Sequence, residues 1–344
     1  EKYFIPQDVK EFKNYTSDSF SLDELFLTKG VSISTNCDDL VIDTNKKTLE
    51  DKIKKYQDSV WLPESIENSK ETKRSAKHYL KNIKNKKGIT RYFSYRAFDN
   101  RFIYDSEMVM YRKSEMRQHD IVEGNIYLNF THSCSEKNYS HVLFTHSLSE
   151  CKLFKGDRST YNAPLYLHSP NVLDPSAPQF KSNLNTTITA KFTNLDSSIT
   201  DLDIVDYIYG VLNDKAYTTK YNQFLKSNYP RVPYPDSIDS FISYKEIGSK
   251  LRLIHLDDST QDSQATYNAT NNTIEKVSFS NNKLFFNQSD FFDNISQDMF
   301  DFKIGASQPL KNWLEARKGD SFDKPMLEQF LNVIYKVRNS IDRT

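Results

Sequence analysis

Glycine is scarce in this sequence, with eight residues in 344. Loops that cradle phosphates need several glycines close together, because the backbone must approach the anion without side chains in the way. No such loop can be assembled here. Gly156-Asp157-Arg158-Ser159 lacks both the leading Gly spacing and the Lys of a Walker loop. A nucleophile elbow and a His-Glu-x-x-His helix are also missing. So is the Asn/Asp-Pro-Pro-Tyr/Phe motif of amino-methyltransferases, for which the Pro-rich segment at 230–235 is no substitute. The chain is therefore expected to be non-catalytic, with no cofactor of its own.

Cysteine is scarce too. Cys37, Cys134 and Cys151 are odd in number and scattered, so no disulfide framework is implied and a reducing cytoplasm fits. No apolar run approaches the roughly 20 residues of a membrane span, and no signal peptide is visible. A cytoplasmic protein without a membrane partner is expected. The Asn-x-Ser/Thr sequons at Asn129 and Asn185 follow from an Asn-rich composition and are not read as glycosylation. The chain opens on Glu1 rather than Met, which predicts a piece of a longer chain.

Aromatic residues are plentiful. Hydrophobic residues make up only 37 %, but 23 Phe and 21 Tyr can build a core, because each ring buries a large area. The length allows two or three packed units. Net charge is zero, with 46 basic and 46 acidic residues, yet it is segregated. From Lys70 to Arg96 there are ten basic residues and one acid, a net of +9. From Leu256 to Phe302 eight acids face two lysines, a net of −6. A neutral total with this distribution leaves a nucleic-acid partner open.

Three stretches stand out along the chain. Residues 1–66 read as short mixed elements. They include a capping-box helix start at Ser21 with Glu24 three residues on, a short strand over 39–43, and a helix over 49–56. Residues 67–195 begin with a Lys-rich helix over 67–88 that Gly88 can end. Aromatic and β-branched strands follow at 91–95, 101–104, 126–130 and 141–145, at a density that suggests a barrel-like or sandwich unit. Residues 196–344 read as mostly helical, at 204–212, 217–225, 240–255, 308–317 and 325–341. A rigid Pro-rich connector spans 229–235. A polar loop covers 257–273, and a hairpin turns at Asn281-Asn282. The predicted class is α+β: an antiparallel β-rich central unit flanked by helices, with a helical C-terminal part.

His132, Cys134, His141, His146 and Cys151 fall within twenty residues, and all are potential zinc ligands. Their spacings match no familiar zinc pattern, so ordinary core or surface positions are the expected reading, no metal is expected, and a metal cluster is the competing reading. The acid pairs Asp38-Asp39 and Asp257-Asp258 read as turn or cap chemistry, since neighbours on a strand face opposite sides.

Five segments resemble the C-terminal specificity region of the single-polypeptide, ATP-dependent restriction–modification enzymes called Type ISP, and of related adenine-methylating proteins. They are Gly30 to Ile42, Tyr95-Arg96-Ala97-Phe98-Asp99-Asn100-Arg101 with Phe102 to Tyr104, and Ala163-Pro164-Leu165-Tyr166-Leu167. The fourth runs from Asp206 through Tyr229-Pro230-Arg231-Val232-Pro233-Tyr234-Pro235 to Leu256, and the fifth from Ile304 to Gly319. The chain departs from the family at Ala97, where Pro is usual, at Ala306-Ser307, where Gly-Tyr is usual, and in a shifted Thr of the first segment. The resemblance implies a larger parent in which a nuclease, an ATP-driven motor and a methyltransferase precede this region. Such a parent uses S-adenosylmethionine, and ATP with Mg²⁺. Residues 1–66 are then expected to connect to the methyltransferase domain, with segment 30–36 beside its cleft. The implied partners are double-stranded DNA and that methyltransferase domain.

Duplex binding needs cations on phosphates and donors in a groove. Lys77, Lys81, Lys84, Lys86 and Lys87 of the Lys-rich helix are the expected phosphate contacts, against the reading of a solvated helix face. Arg96 and Arg101 are five apart, so on a continuous strand they face opposite sides. One is expected to pair with Asp99, the other to meet DNA near Asn100. Arg112, Lys113, Arg117, Gln118 and His119 form the expected base-reading loop, because Arg and Lys suit guanine and Gln suits adenine. Arg231, Lys311, Arg317 and Lys318 are further candidates. Trp313 is expected to anchor a core. The alternatives are a stand-alone metal-dependent nuclease and a protein-interaction scaffold.

Overall fold

In the computed structural model, residues 9–59, 61–70, 88–106, 114–170 and 179–341 are described. The Lys-rich stretch 71–87, with Lys77, Lys81, Lys84, Lys86 and Lys87, lies outside them, as do Arg112 and Lys113.

The α+β class holds, with antiparallel sheets and a helical C-terminal part. One sheet orders Gly30–Val31, Thr160–Pro164, Tyr127–Thr131 and Val142–Thr145. Every residue of Tyr127–Thr131 and Val142–Thr145 is buried, because both faces of these strands are covered. A second sheet orders Ile42–Asp43, Asp99–Asp105 and Ile89–Arg96. Residues 148–153 splice the two together. Ser94 N–H donates to Leu148 O at 3.2 Å, Glu150 N–H to Ser94 O at 2.9 Å and Ile33 N–H to Ser149 O at 3.2 Å. These sheets stay open among the described residues, so the barrel expected from strand density does not form.

The first stretch is woven into the rest. Ser19–Ser21 pairs with Arg231–Pro233, Gly30–Val31 with Thr160–Pro164, and Ile42–Asp43 with Asp99–Asp105. The capping box at Ser21 and Glu24 is present. The strand expected over 39–43 is instead the helix Asp38–Val41 followed by two strand residues. Asp38 and Asp39 in its first turn suit the positive end of a helix, which outweighs the β-branched pair behind them. The helix expected over 217–225 is two short ones, Lys215–Lys220 and Asn222–Leu225. The polar loop at 257–273 contains the strand Thr266–Asn268, paired with Phe291–Asp293. The Asn-Asn hairpin forms as read: Asn281 and Asn282 both take positive φ, 51° and 58°. No helix among the described residues is long and apolar enough to cross a membrane.

Two helices, Asp201–Asn213 and Ile238–Leu256, cross at a pair of glycines. A Cβ on Gly248 would stand 2.7 Å from Gly210 N and overlap Asp206 O. Beside the crossing, Arg252 grips Asp206 with two hydrogen bonds, 2.6 and 2.9 Å.

His255, near the end of the second helix, is buried. Tyr209 O–H donates to its Nδ1, and its Nε2–H donates to Ser340 Oγ at 2.8 Å. Burial, with the Lys336 charge second, pushes the imidazole down to about 3. The unfolded chain protonates this ring near pH 6.5, the folded chain only near 3. Between these values the unfolded state binds the extra proton, so stability falls as pH falls. His255 should contribute a slope of about 1.4 kcal/mol per pH unit over that window. Urea titrations at several pH values check this: His255→Gln should flatten the acid limb, and an unchanged slope would refute the assignment.

Candidate nucleic-acid interface

Tyr95 to Arg101 forms the tip of a β-hairpin. Arg96 pairs with Asp99 across the two-residue turn Ala97-Phe98. Phe98 sits at φ 60°, a region that bulky side chains rarely enter. Its ring is buried 5.0 Å from His255, and that packing holds the turn. The register shifts between Ser94 and Arg96, so Tyr95 is the extra residue of a bulge, a device that re-aims a side chain. Both guanidiniums consequently lie over one ring: Arg96 is 3.9 Å and Arg101 is 4.0 Å from the Tyr95 centroid. The expectation of opposite faces is corrected, because the two arginines stand on different strands of a bulged hairpin.

Asp99 is the buried centre of this tip. Arg101 Nη2 lies 2.7 Å and Arg317 Nη2 2.8 Å from its carboxylate. Burial alone would raise this carboxyl; the charges of Arg317 and Arg101 outweigh it and hold Asp99 below the ordinary carboxylate range. The Arg317 side chain is 1 % exposed. It donates to Trp313 O at 3.1 Å and lies 3.6 Å over the Trp313 ring. Arg317 is therefore no phosphate contact; it is the counter-charge of the hairpin. Trp313 anchors the core as expected. Arg96 pairs with Glu150 at 2.6 Å, and burial of that carboxyl pushes it up against the pull of Arg96.

The expected reading loop is partly a 3-10 helix, Glu115–His119. Arg117 is tied to Asp105 at 2.6 Å. Arg91 meets the same Asp105 at 3.0 Å and Asp120 at 2.6 Å. His119 is buried and accepts the His168 N–H on Nδ1 at 3.0 Å. These two side chains hold the loop in place, and Gln118 is the exposed one of the three. Arg231 is likewise committed: it donates to Ser19 Oγ and O at 3.0 and 2.8 Å and lies 3.2 Å from Glu24. Asn100 reaches Asp258 at 3.3 Å. Lys311 stands 3.7 Å from Glu315, one turn on, with 40 % of its side chain exposed. Lys318 is exposed.

What the hairpin tip opens onto was missed in the sequence. A cleft of about 280 Å³ lies between Tyr95, Arg96 and Arg101 on one side and Asn312 and Trp313 on the other, with Lys155 on its wall. Lys155 takes φ 59° and donates to Asn312 Oδ1 at 2.9 Å. Arg96, Arg101 and exposed Lys155 are the cations that line the cleft, with Lys311 next to the lining residue Asn312 in the sequence. Arg158, exposed three residues after Lys155, lies 3.6 Å from Asp157. The only sequence signal was the spacing Lys152-x-x-Lys155-x-x-Arg158. On the other side of Arg96 a second cleft, of about 390 Å³, is lined by Ser34, Asn36, Asp38 and Lys152. Residues 34 and 36–39 of the first resembling segment line it.

Of the five potential zinc ligands, the fold brings two together. Cys134 and His141 meet Glu136, a residue the sequence reading left out. His132 packs edge-on against Tyr229, His146 Nε2 lies 2.8 Å from Leu256 O, and Cys151 Sγ lies 3.2 Å from Glu150. The acid pairs act in turns and pairs: Asp257 accepts from Ser259 and Thr260, and Asp258 binds Lys336 at 2.6 Å.

An antiparallel α+β module with a cation-walled hairpin cleft defines the class of fold. The chain belongs to the Type ISP C-terminal specificity domain family, whose profile matches residues 24–338. Its fold is similar to three solved structures. The first is the ATP-dependent Type ISP restriction-modification enzyme LlaBIII bound to DNA, with a TM-score of 0.70 and 16 % identity over 92 % of this chain and 23 % of that one. The second is the DrdV–DNA complex, with 0.69 and 18 %, over 92 % of this chain and 35 % of that one. The third is a nuclease-deletion mutant of the Type ISP restriction-modification enzyme LlaGI with a DNA substrate mimic, with 0.68 and 18 %, over 98 % and 29 %. This chain thus spans about a quarter to a third of those enzymes. No curated protein sequence matches it.

Proposed function

We propose that this chain is the sequence-specific, double-stranded DNA recognition module of a bacterial restriction–modification enzyme, and that it is itself non-catalytic. Its membership of a specificity-domain family carries the reading. The cations Arg96, Arg101 and Lys155 that line the hairpin cleft support it, as do DNA-bound enzymes of the same fold. The parent is an adenine-N6 methyltransferase using S-adenosylmethionine, with restriction driven by ATP and Mg²⁺, acting in the cytoplasm. Residues 1–66 connect to its methyltransferase domain, 67–195 form the β-rich target-recognition unit and 196–344 the mostly helical C-terminal specificity subdomain.

Lys155, Arg158, Lys311 and Lys318 contact phosphates, together with the lysines at 77, 81, 84, 86 and 87. Arg96 and Arg101 hold the cleft wall at Asn100. Gln118, with Arg112 and Lys113 upstream, reads base edges. Arg117 and His119 position that loop.

Duplex binding by the whole chain, followed by fluorescence anisotropy over a salt series, tests this. Lys155→Glu/Arg158→Glu/Lys311→Glu should weaken binding to every sequence by roughly tenfold or more and shallow the salt slope by about 0.9 per lost phosphate contact. An unchanged affinity and slope would remove the cleft from the DNA interface.

A further inference from the structure

Cys134, Glu136 and His141 sit on one loop between the strands Tyr127–Thr131 and Val142–Thr145. One ligand atom from each, a thiol sulfur, a carboxylate oxygen and an imidazole nitrogen, lies within 4.8 Å of the other two. His141 Nε2 stands 3.1 Å from Glu136 Oε2, and the His141 side chain is 2 % exposed. That approach is short yet badly aligned: Glu136 Oε2 is buried without a hydrogen-bond partner, and so is His141 Nδ1. Two ligands of one zinc ion, each at about 2.0–2.1 Å across a tetrahedral angle, stand about 3.4 Å apart. The unsatisfied contact has the separation of two ligands of a shared cation.

The surroundings fix this geometry. A Cβ on Gly305 would fall 2.6 Å from Phe154 Cβ and 3.0 Å from the His141 ring, so the chain at 305 presses on the imidazole. Gly305 N–H also donates to Ser140 O at 2.9 Å. A Cβ on Gly156 would meet Glu136 Oε1 at 2.6 Å. Cys134 N–H donates to Lys226 O at 3.1 Å, and Tyr139 N–H to Asn222 Oδ1 at 2.9 Å. The three ligand atoms are thus held from several sides. Glu136 also lines a groove of about 820 Å³, so its side of the cluster borders solvent-filled space.

We propose that Cys134 Sγ, the Glu136 carboxylate and His141 Nε2 bind a divalent cation of the zinc class. On binding, the Cys134 thiol loses its proton to solvent and the thiolate becomes a ligand. One sulfur, one nitrogen and one oxygen donor suit borderline-soft Zn²⁺ over Mg²⁺ or Ca²⁺. The ion joins the loop 134–141 into one rigid unit against the segment at Gly305.

The whole chain, stripped with a chelator and titrated with Co²⁺, tests this. The expected result is a stoichiometric thiolate-to-cobalt charge-transfer band with tetrahedral d–d absorption. Cys134→Ser should abolish the charge-transfer band, and Cys37→Ser/Cys151→Ser should keep it. Glu136→Gln, which conserves shape and needs no refolding of the core, should weaken Co²⁺ by more than the roughly tenfold typical of an outer-shell partner. The proposal is overturned by natively folded wild-type chain that shows no such band at equimolar Co²⁺. It is equally overturned by a band that survives Cys134→Ser, or by unchanged affinity in Glu136→Gln.

Discussion

Replacing Arg317 by methionine should destabilise the chain by about 3 kcal/mol. Breaking a buried ion pair by removing one partner typically costs about 3–5 kcal/mol, because the other charge is left stranded in a poor solvent for it. Here Arg101 remains on Asp99, which places the loss at the lower end. Methionine fills most of the volume over Trp313, so little of the loss comes from a cavity. Urea denaturation is the measurement. Arg317→Met/Asp99→Asn should be less damaging than the sum of the two single changes, since the Asp99–Arg317 pair is then removed whole and only Arg101 loses its carboxylate. A loss below about 1 kcal/mol for Arg317→Met would show that Asp99 is satisfied by Arg101 alone.

Gly248→Ala should also destabilise, against the local preference. Alanine is better than glycine inside a helix by about 1 kcal/mol. The added methyl group, however, would overlap Asp206 O on the facing helix and crowd Gly210 N. Those are backbone atoms of a hydrogen-bonded helix and cannot swing away. Forcing extra volume into a packed contact costs about 1–3 kcal/mol, and more where nothing can give. The net expected loss is about 2 kcal/mol, read as a lowered melting temperature. A neutral or raised melting temperature would mean that the helices separate at little cost.

Much of the architecture was legible in the sequence, for local reasons. Ser21 with Glu24, the Asn281-Asn282 turn and the aromatic strands at 91–95, 101–104, 126–130 and 141–145 each carry their own physical signature within a few residues. The family was legible in Tyr95 to Arg101 and in the segment from Ile304 to Gly319. The arginines were less so. Chain order brings Arg317 nowhere near Asp99, 218 positions away, so nothing local marks it as buried and paired. Arg231 looks free in the sequence and is spent on Ser19 across a sheet edge. The Asp38–Val41 helix was misread because two acids at its start outweigh two β-branched residues after them. Lys155 was overlooked because its importance comes from Asn312, brought close only by the fold.

The edge strands supplied by residues 19–43 bear on how this region can be exchanged between relatives. A recombinant that joins a foreign upstream half at residue 67 would take Ser19–Ser21, Gly30–Val31 and Ile42–Asp43 from one parent and their partners from another. Three sheets would then be built from unmatched halves. A crossover upstream of Ser19 would instead carry all three pairings along intact. For this family, the natural seam for trading DNA specificity is therefore expected before the first edge strand rather than at the start of the basic stretch.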